Sequence, residues 1–221
     1  DADNARLVNS EAPRVMAEAA RERSALLIHY STDYVFDGAA RTPYTEDSPV
    51  NPLGVYGATK LAGERAVAES GAAHLILRTA WLYSNRGKNF LNTMLRLAAE
   101  RDELRVVNDQ YGCPTYADLV AEASVRMLDG MFAAGRVRQE RCGLYNLCCE
   151  GVTTWQGFAK QIIELAGFGE RVRVLPITTA EYPTPARRPA YSVLSNAKLE
   201  HVFGVRLPDW EQGLKRCLAE R

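Results

Sequence analysis

Leu26-Leu27-Ile28-His29-Tyr30-Ser31-Thr32-Asp33-Tyr34-Val35-Phe36 decides the fold of this chain, because an apolar run ends there in a cluster of hydroxyls and a carboxylate. Leu26-Leu27-Ile28 reads as a buried strand of the kind that fills parallel sheets covered on both faces. In open α/β sheets ligands gather at the carboxyl ends of the strands, which is where Ser31, Thr32 and Asp33 stand. Downstream, Val55 to Glu69 reads as a helix, which puts Tyr56 and Lys60 four residues apart on one face, with the ammonium near the phenol. A free tyrosine has a pKa of about 10, and a neighbouring cation favours the phenolate and lowers that value. A phenol tuned in this way can donate or accept the proton in a carbonyl reduction or oxidation. A strand, a turn and a helix with an exposed i,i+4 pair would use the same residues, so the pair alone leaves both readings open.

Outward from this stretch, the elements alternate. A helix is expected near 4–22, with Leu7/Val8, Glu11/Ala12, Val15/Met16 and Ala19 at helical spacing, then a strand near 25–31, a helix near 54–69 and a strand near 74–79. Such alternation argues for a parallel sheet with helices on its faces. A helix near 89–101, a strand near 104–107 and a helix near 116–129 follow, and Gly143 to Cys148 reads as another buried strand. Thr153 or Thr154 is placed to cap a helix carrying Trp155, Phe158 and Ile162, and Ser195 to cap a short one through Val202. The Pro-rich stretch 182–189 is too rigid and irregular for sheet or helix, and Gly135 to Glu140 reads as an exposed loop.

Composition narrows the class. The 221 residues are 47% hydrophobic and 24% charged, enough for one large domain or a domain plus a lobe. With 27 basic and 27 acidic residues and no basic block, the chain carries no nucleic-acid footprint. No apolar run approaches the ~18 residues that span a bilayer, so a membrane partner is not expected and the cytoplasm is favoured. The five cysteines, at 113, 142, 148, 149 and 217, form an odd set without C-x-x-C spacing, which suits free thiols in a reducing compartment. Cys148 and Cys149 sit in an apolar run as small buried hydrophobes. His29, His74 and His201 are far apart in sequence, which argues against a zinc site, and no metal ligands are assigned.

A dinucleotide site of the βαβ type needs a glycine-rich turn after its first strand, where the pyrophosphate meets backbone N–H groups. Gly54-Val55-Tyr56-Gly57 is in the wrong place for that turn, and Gly167-Phe168-Gly169 lacks a third glycine and follows a helix.

His29 to Gly38 and Asn51-Pro52-Leu53-Gly54-Val55-Tyr56-Gly57-Ala58-Thr59-Lys60-Leu61-Ala62-Gly63-Glu64 together resemble the extended short-chain dehydrogenase/reductase superfamily. The nearer resemblance is to its dTDP-4-dehydrorhamnose reductase family. Leu77 to Tyr83, Asn108 to Thr115 and Tyr182 to Pro189 resemble the same family in the same order, so the likeness covers nearly the whole chain. It implies a Rossmann-like α/β fold, a parallel sheet with flanking helices, plus a smaller α/β substrate-binding lobe. Residues 1–149 would be the remainder of the cofactor-binding domain, with an excursion near 86–115 into the lobe, and 150–221 would be mainly the lobe. The resemblance places the opening helix midway through the cofactor domain, so at least two βαβ units, on the order of 60 residues, are expected beyond this chain. A sheet without those strands would present an apolar edge and face prone to association.

What the family implies carries over residue by residue. Tyr56 would donate the proton to the sugar carbonyl, Lys60 would lower its pKa and bond the nicotinamide ribose, and Thr32 would hydrogen-bond the reacting oxygen. Asp33 and Trp81 match substrate-contacting positions, with Tyr34, Asn89 and Arg188 as further candidates for the sugar or nucleotide pocket, Arg188 because a guanidinium forks onto a diphosphate. Trp81 also suits a core aromatic at a strand end, and Arg188 a solvated loop charge. The implied reaction is hydride transfer from NADPH or NADH to C4 of a dTDP-linked 4-keto-6-deoxy sugar, giving dTDP-L-rhamnose for cell-surface polysaccharide. A homodimer is common in the family, and some members bind magnesium at the dimer interface. An epimerase or dehydratase of the superfamily shares the Tyr/Lys pair, but Tyr34 stands where a dehydratase needs Glu. A regulatory subunit like the methionine adenosyltransferase β subunit lacks the tryptophan found here at Trp81.

Overall fold

The computed structural model describes residues 1–221. The chain opens with α1 (Ala2–Arg6), widens into a π turn at Leu7–Glu11 and continues as α2 (Ala12–Glu22). The helix expected near 4–22 is thus one rod with a bulge. Its cause is Pro13, which has no N–H to offer the Asn9 carbonyl four residues back. Then come β1 (Leu26–Thr32), a 3₁₀ turn at Asp33–Val35, α3 (Val55–Glu69), β2 (Ala73–Thr79), β3 (Leu82–Tyr83), α4 (Phe90–Glu100) and β4 (Glu103–Val107). β5 (Tyr111–Gly112), β6 (Thr115–Tyr116), α5 (Ala117–Met131), β7 (Phe132–Ala133), β8 (Arg136–Val137) and β9 (Gly143–Asn146) follow. The chain ends with β10 (Thr153–Thr154), α6 (Trp155–Leu165), β11 (Arg173–Ile177), α7 (Ala197–Phe203) and α8 (Trp210–Ala219).

Three strands, in the order β1-β2-β9, form a parallel sheet. The register runs from Leu26 against Ala73 to Thr32 against Thr79, which brings two threonines side by side at the carboxyl ends. β4 and β11 form a second parallel pair, and α6 packs against both strands. The main core of 29 buried residues runs without a break from Leu75 and Leu77 of β2 to Val174 of β11 and Leu214 of α8. α/β architecture with parallel sheets and flanking helices is therefore as expected.

Several local expectations need correction. Leu26, Leu27 and Ile28 are only half-buried, because β1 pairs on one side alone. β9 ends at Asn146 and not at Cys148, since the Asn146 side chain turns aside to donate to the Tyr44 and Ser195 carbonyls. The cap position of α7 is Asn196 rather than Ser195, and its side chain serves Cys148 and Glu150. Part of the expected loop 135–140 is the hairpin β7–β8 with a 3₁₀ turn at Gln139–Arg141. β11 has no counterpart among the expected elements because Pro176 interrupts it, which a sheet tolerates only at an edge. α8 buries Trp210, Gly213, Leu214 and Cys217 at helical spacing, a pattern present in the sequence but passed over.

The helix that carries Tyr56 and Lys60 is docked by two devices. Glu64 of α3 accepts two hydrogen bonds from Arg78 of β2, at 2.9 and 2.6 Å, and both side chains are 5% exposed or less. At Gly57, a Cβ would lie 2.1 Å from the Tyr34 carbonyl oxygen, so only glycine lets α3 close onto the 3₁₀ turn. Removing one partner of a buried pair strands the other charge. Glu64→Ala should therefore lower unfolding stability by about 3–5 kcal/mol in urea titrations, and a loss below about 1 kcal/mol, the scale of an exposed pair, would show that the ion pair is not what holds α3.

Candidate active site

The carboxyl ends of β1 and β2, the first turn of α3 and the segment after β2 enclose a cleft of about 370 Å³. Its lining includes Thr32, Asp33, Tyr34, Tyr56, Lys60 and Trp81, six of the eight residues that the sequence singled out. Thr32 arrives there as the last residue of β1, where its Oγ1 accepts from the Tyr34 N–H at 3.2 Å and donates to Asp33 Oδ1 at 3.0 Å. The Tyr34 and Tyr56 rings meet edge-on, with centroids 5.8 Å apart. Trp81 takes a left-handed backbone conformation (φ +47°) that turns its ring into the cleft wall.

The electrostatics differ from expectation at the Tyr/Lys pair. Partial burial pushes the Tyr56 phenol above its ordinary 10, and the Asp33 charge adds to that push, while the Thr32 hydroxyl works against both. Lys60 does not lower it. Its Nζ donates to the Tyr30 carbonyl at 2.6 Å and stands 3.4 Å from Nε2 of His29, so the ammonium is turned toward β1. Burial lowers the Lys60 pKa, against the charge of Glu64. His29 is pushed down to about 4, by burial first and then by Lys60, and therefore stays neutral and presents a lone pair to the ammonium. Asp33, 2% exposed, is pushed up to about 6 by burial, with the hydroxyls of Ser192 and Thr32 pulling the other way.

Buried polar atoms ordinarily find partners. Of the seven buried side-chain atoms without one, Ser31 Oγ, Asp33 Oδ2 and Thr79 Oγ1 belong to residues lining this cleft, so its polar capacity is unspent. Those atoms, with the Lys60 ammonium, fit the ribose hydroxyls and carboxamide of a nicotinamide, which needs donors and acceptors at the carboxyl ends of the strands. Within this chain no group of three or more His, Cys, Asp or Glu side chains is placed to hold a metal ion.

The remaining two predicted residues lie elsewhere. Arg188 lines a second cavity of about 580 Å³ with Phe90, Arg101, Arg105, Gln110 and Trp155, and its charge reaches Tyr34. Asn89 reaches neither cavity, because its side chain caps α4 by accepting from Asn92 N–H while donating to the Ser84 and Arg86 carbonyls. Sequence reasoning missed Trp155, which lines both cavities. The sequence marks it only as an apolar residue of a helix, and its position directly after the capping Thr154, in the first turn, is the signal available.

The whole chain, residues 1–221, matches the RmlD substrate binding domain. It is 44% identical to a dTDP-4-dehydrorhamnose reductase of Burkholderia thailandensis, covering 100% of this chain and 76% of that protein. It is 45% identical to one of Escherichia coli K12, covering 98% and 72%. Among solved structures, a dTDP-4-dehydrorhamnose reductase from Clostridium acetobutylicum superposes with a TM-score of 0.91 at 40% identity, over 99% of this chain and 74% of that one. The Bacillus anthracis enzyme, solved in complex with NADP, gives 0.91 at 36% identity, over 100% and 74%.

The opposed shifts of Asp33 and His29 have a measurable consequence. Asp33, raised from 3.8 to about 6, holds its proton more tightly folded than unfolded, so its contribution is full below 3.8 and lost as pH rises through 6. His29, lowered from 6.5 to about 4, does the reverse, and its contribution is present above 6.5 and lost as pH falls through 4. Between about 4 and 6 the two slopes oppose each other. In Asp33→Asn only the His29 slope remains, so stability should fall on acidification through that window more steeply than in the parent, by up to about 1.4 kcal/mol per pH unit. Parallel urea-unfolding curves for the two proteins across the window would contradict the assignment.

Proposed function

The chain belongs to the dTDP-4-dehydrorhamnose reductase family, and we propose that Tyr56, Thr32 and Lys60 carry the family's reaction in it. The reaction is the NAD(P)H-dependent reduction of the C4 keto group of dTDP-4-dehydro-6-deoxy-L-mannose to dTDP-L-rhamnose, a step of cell-surface polysaccharide biosynthesis. The observation that supports this most is the convergence of a protonated phenol, a strand-end hydroxyl and an ammonium on one cleft at the carboxyl ends of β1 and β2.

The nicotinamide, when bound, supplies the hydride. Tyr56 gives its proton to the oxygen that becomes negative, and a phenol above 10 is fully protonated for that task at neutral pH. Thr32, whose hydroxyl donates to Asp33 Oδ1 before substrate arrives, turns that single proton to the same oxygen, and the hydrogen bond strengthens as charge develops. Lys60 has three donors: the Tyr30 carbonyl takes one and the His29 lone pair faces a second, which leaves the third for a ribose hydroxyl. Asp33, Tyr34 and Trp81 line the cleft as sugar contacts. The larger cavity, with Arg101, Arg105 and Arg188 beside Phe90 and Trp155, suits the nucleoside diphosphate, whose phosphates need guanidinium and whose base needs a ring to lie on.

In the same reading, residues 1–149 serve the cofactor side apart from the excursion near 86–115, and 150–221 serve the substrate. The full-length enzyme works as a homodimer in the cytoplasm; the free state of the five cysteines and the lack of any helix long and apolar enough to cross a membrane agree with the latter. Sedimentation equilibrium of the full-length enzyme should return twice its chain mass, and a monomer at micromolar concentration would exclude the dimer.

Tyr56→Phe keeps the ring that faces Tyr34 and removes only the hydroxyl. The variant should lose about 10²–10⁴ in kcat while its affinity for dTDP stays unchanged. A kcat within a few-fold of the parent would overturn the assignment of the proton donor.

A further inference from the structure

Trp155 stands where the two cavities share a wall. It is the first residue of α6, fixed by the Thr154 cap, whose hydroxyl accepts from Gly157 N–H at 3.0 Å. Its indole lies face to face with that of Trp81, with centroids 3.5 Å apart and planes 4° apart, and Phe90 packs against it at 4.7 Å. Trp81 is also packed closely on Gly112, where a Cβ would come within 2.3 Å of its ring. The position of one indole therefore determines that of the other.

The polar edge of Trp155 leads in the opposite direction. Nε1 donates to Gln110 Oε1 at 3.2 Å, and Gln110 Nε2 donates to Thr179 Oγ1 at 3.0 Å. Thr179 is in turn tied to Asp109 through both its N–H and its hydroxyl. This chain of bonds ends on the 3₁₀ turn Thr179–Glu181, from which the segment bearing Tyr182, Thr184 and Arg188 departs over the larger cavity. Gln110 is 5% exposed and itself lines that cavity.

We propose that Trp155 is a positioning residue which couples the two cavities: a nucleoside diphosphate seated in the larger one fixes the Trp155 indole, and the stacked pair then holds Trp81 against the sugar in the redox cleft. The inference rests on the reductase reading above and adds to it a route by which the part of the substrate remote from the reaction raises the rate. Binding energy from a non-reacting group serves catalysis when it orients the reacting centre, so substrates shortened at that end lose kcat. The geometry supplies the physical connection that such an effect needs, an indole that lines both cavities and lies flat on Trp81, which lines the redox cleft alone.

The decisive measurement compares two substrates in three proteins. In the parent, kcat for the dTDP-linked 4-keto sugar should exceed kcat for the same sugar carrying only a 1-phosphate by about tenfold or more. In Trp155→Leu that ratio should collapse toward unity, and Trp155→Phe, which keeps a flat ring, should restore part of it. A merely structural loss would depress both rates together and leave the ratio at the parent value, which would overturn the proposal, as would a parent ratio of unity. A second readout does not depend on turnover. Stacked indoles give a coupled near-ultraviolet circular dichroism signal, and dTDP alone should alter it in the parent but not in Trp155→Phe; a parent signal indifferent to saturating dTDP would also overturn the coupling. Tyr56→Phe separates the two levels. If it retains activity the assignment of the proton donor fails, whereas if it is inactive and the substrate ratio is unmoved by Trp155→Leu, only the coupling fails.

Discussion

Glu64 and Arg78 meet in a nearly water-free space between α3 and β2, and the placement of the cleft follows from that contact. One partner rides on the helix of Tyr56 and Lys60, eight residues after the first and four after the second, and the other sits next to Thr79 and three residues before Trp81. The pair therefore references the proton donor to the strand ends that receive the substrate. Arg78 also lies over the Phe36 ring at 5.1 Å, which draws the segment after Asp33 into the same arrangement. A hydrophobic contact could supply comparable stability, but a bidentate fork fixes rotation as well as distance, which suits a helix whose reactive groups must meet a strand end.

Much of the central fold was readable because each level of the sequence agreed with the next. The apolar run at Leu26, the hydroxyls that end it and the helical phase of Tyr56 and Lys60 all specify one strand-turn-helix unit, and the observed elements differ from expectation there by a residue or so. Legibility failed where a residue obeys a distant partner. Asn146 cuts β9 short for the carbonyls of Tyr44 and Ser195, Asn196 displaces Ser195 at the head of α7 to serve Cys148, and Asn89 spends its side chain on a cap. In each case an amide chose among partners that sequence order does not bring near.

The site shows the same division. Chemistry-bearing residues at a strand end or on a helix face were visible, but the direction of their mutual influence was not. Spacing placed the ammonium beside the phenol, and the neutral lone pair of His29 and the Tyr30 carbonyl turned it elsewhere. The phenol is consequently governed by burial and by the Asp33 carboxylate. Trp155 was hidden for another reason, since an aromatic residue in the first turn of a helix looks like core until a second aromatic, 74 positions earlier, is seen lying flat against it.

The backbone at Trp81 has a consequence for how such a protein can change over time. A left-handed conformation at a residue with a large side chain costs on the order of 1–3 kcal/mol, and glycine or asparagine would adopt it with less strain. Drift under selection for folding alone would therefore erode the tryptophan, and Gly112 opposite it would be free to gain a side chain once the ring had gone. The two positions are linked as a ratchet: losing the indole is easy, and regaining it after position 112 has filled requires two changes at once. Descendants of this scaffold that abandon the stacked pair would be expected to remain stable folds and to find the way back closed.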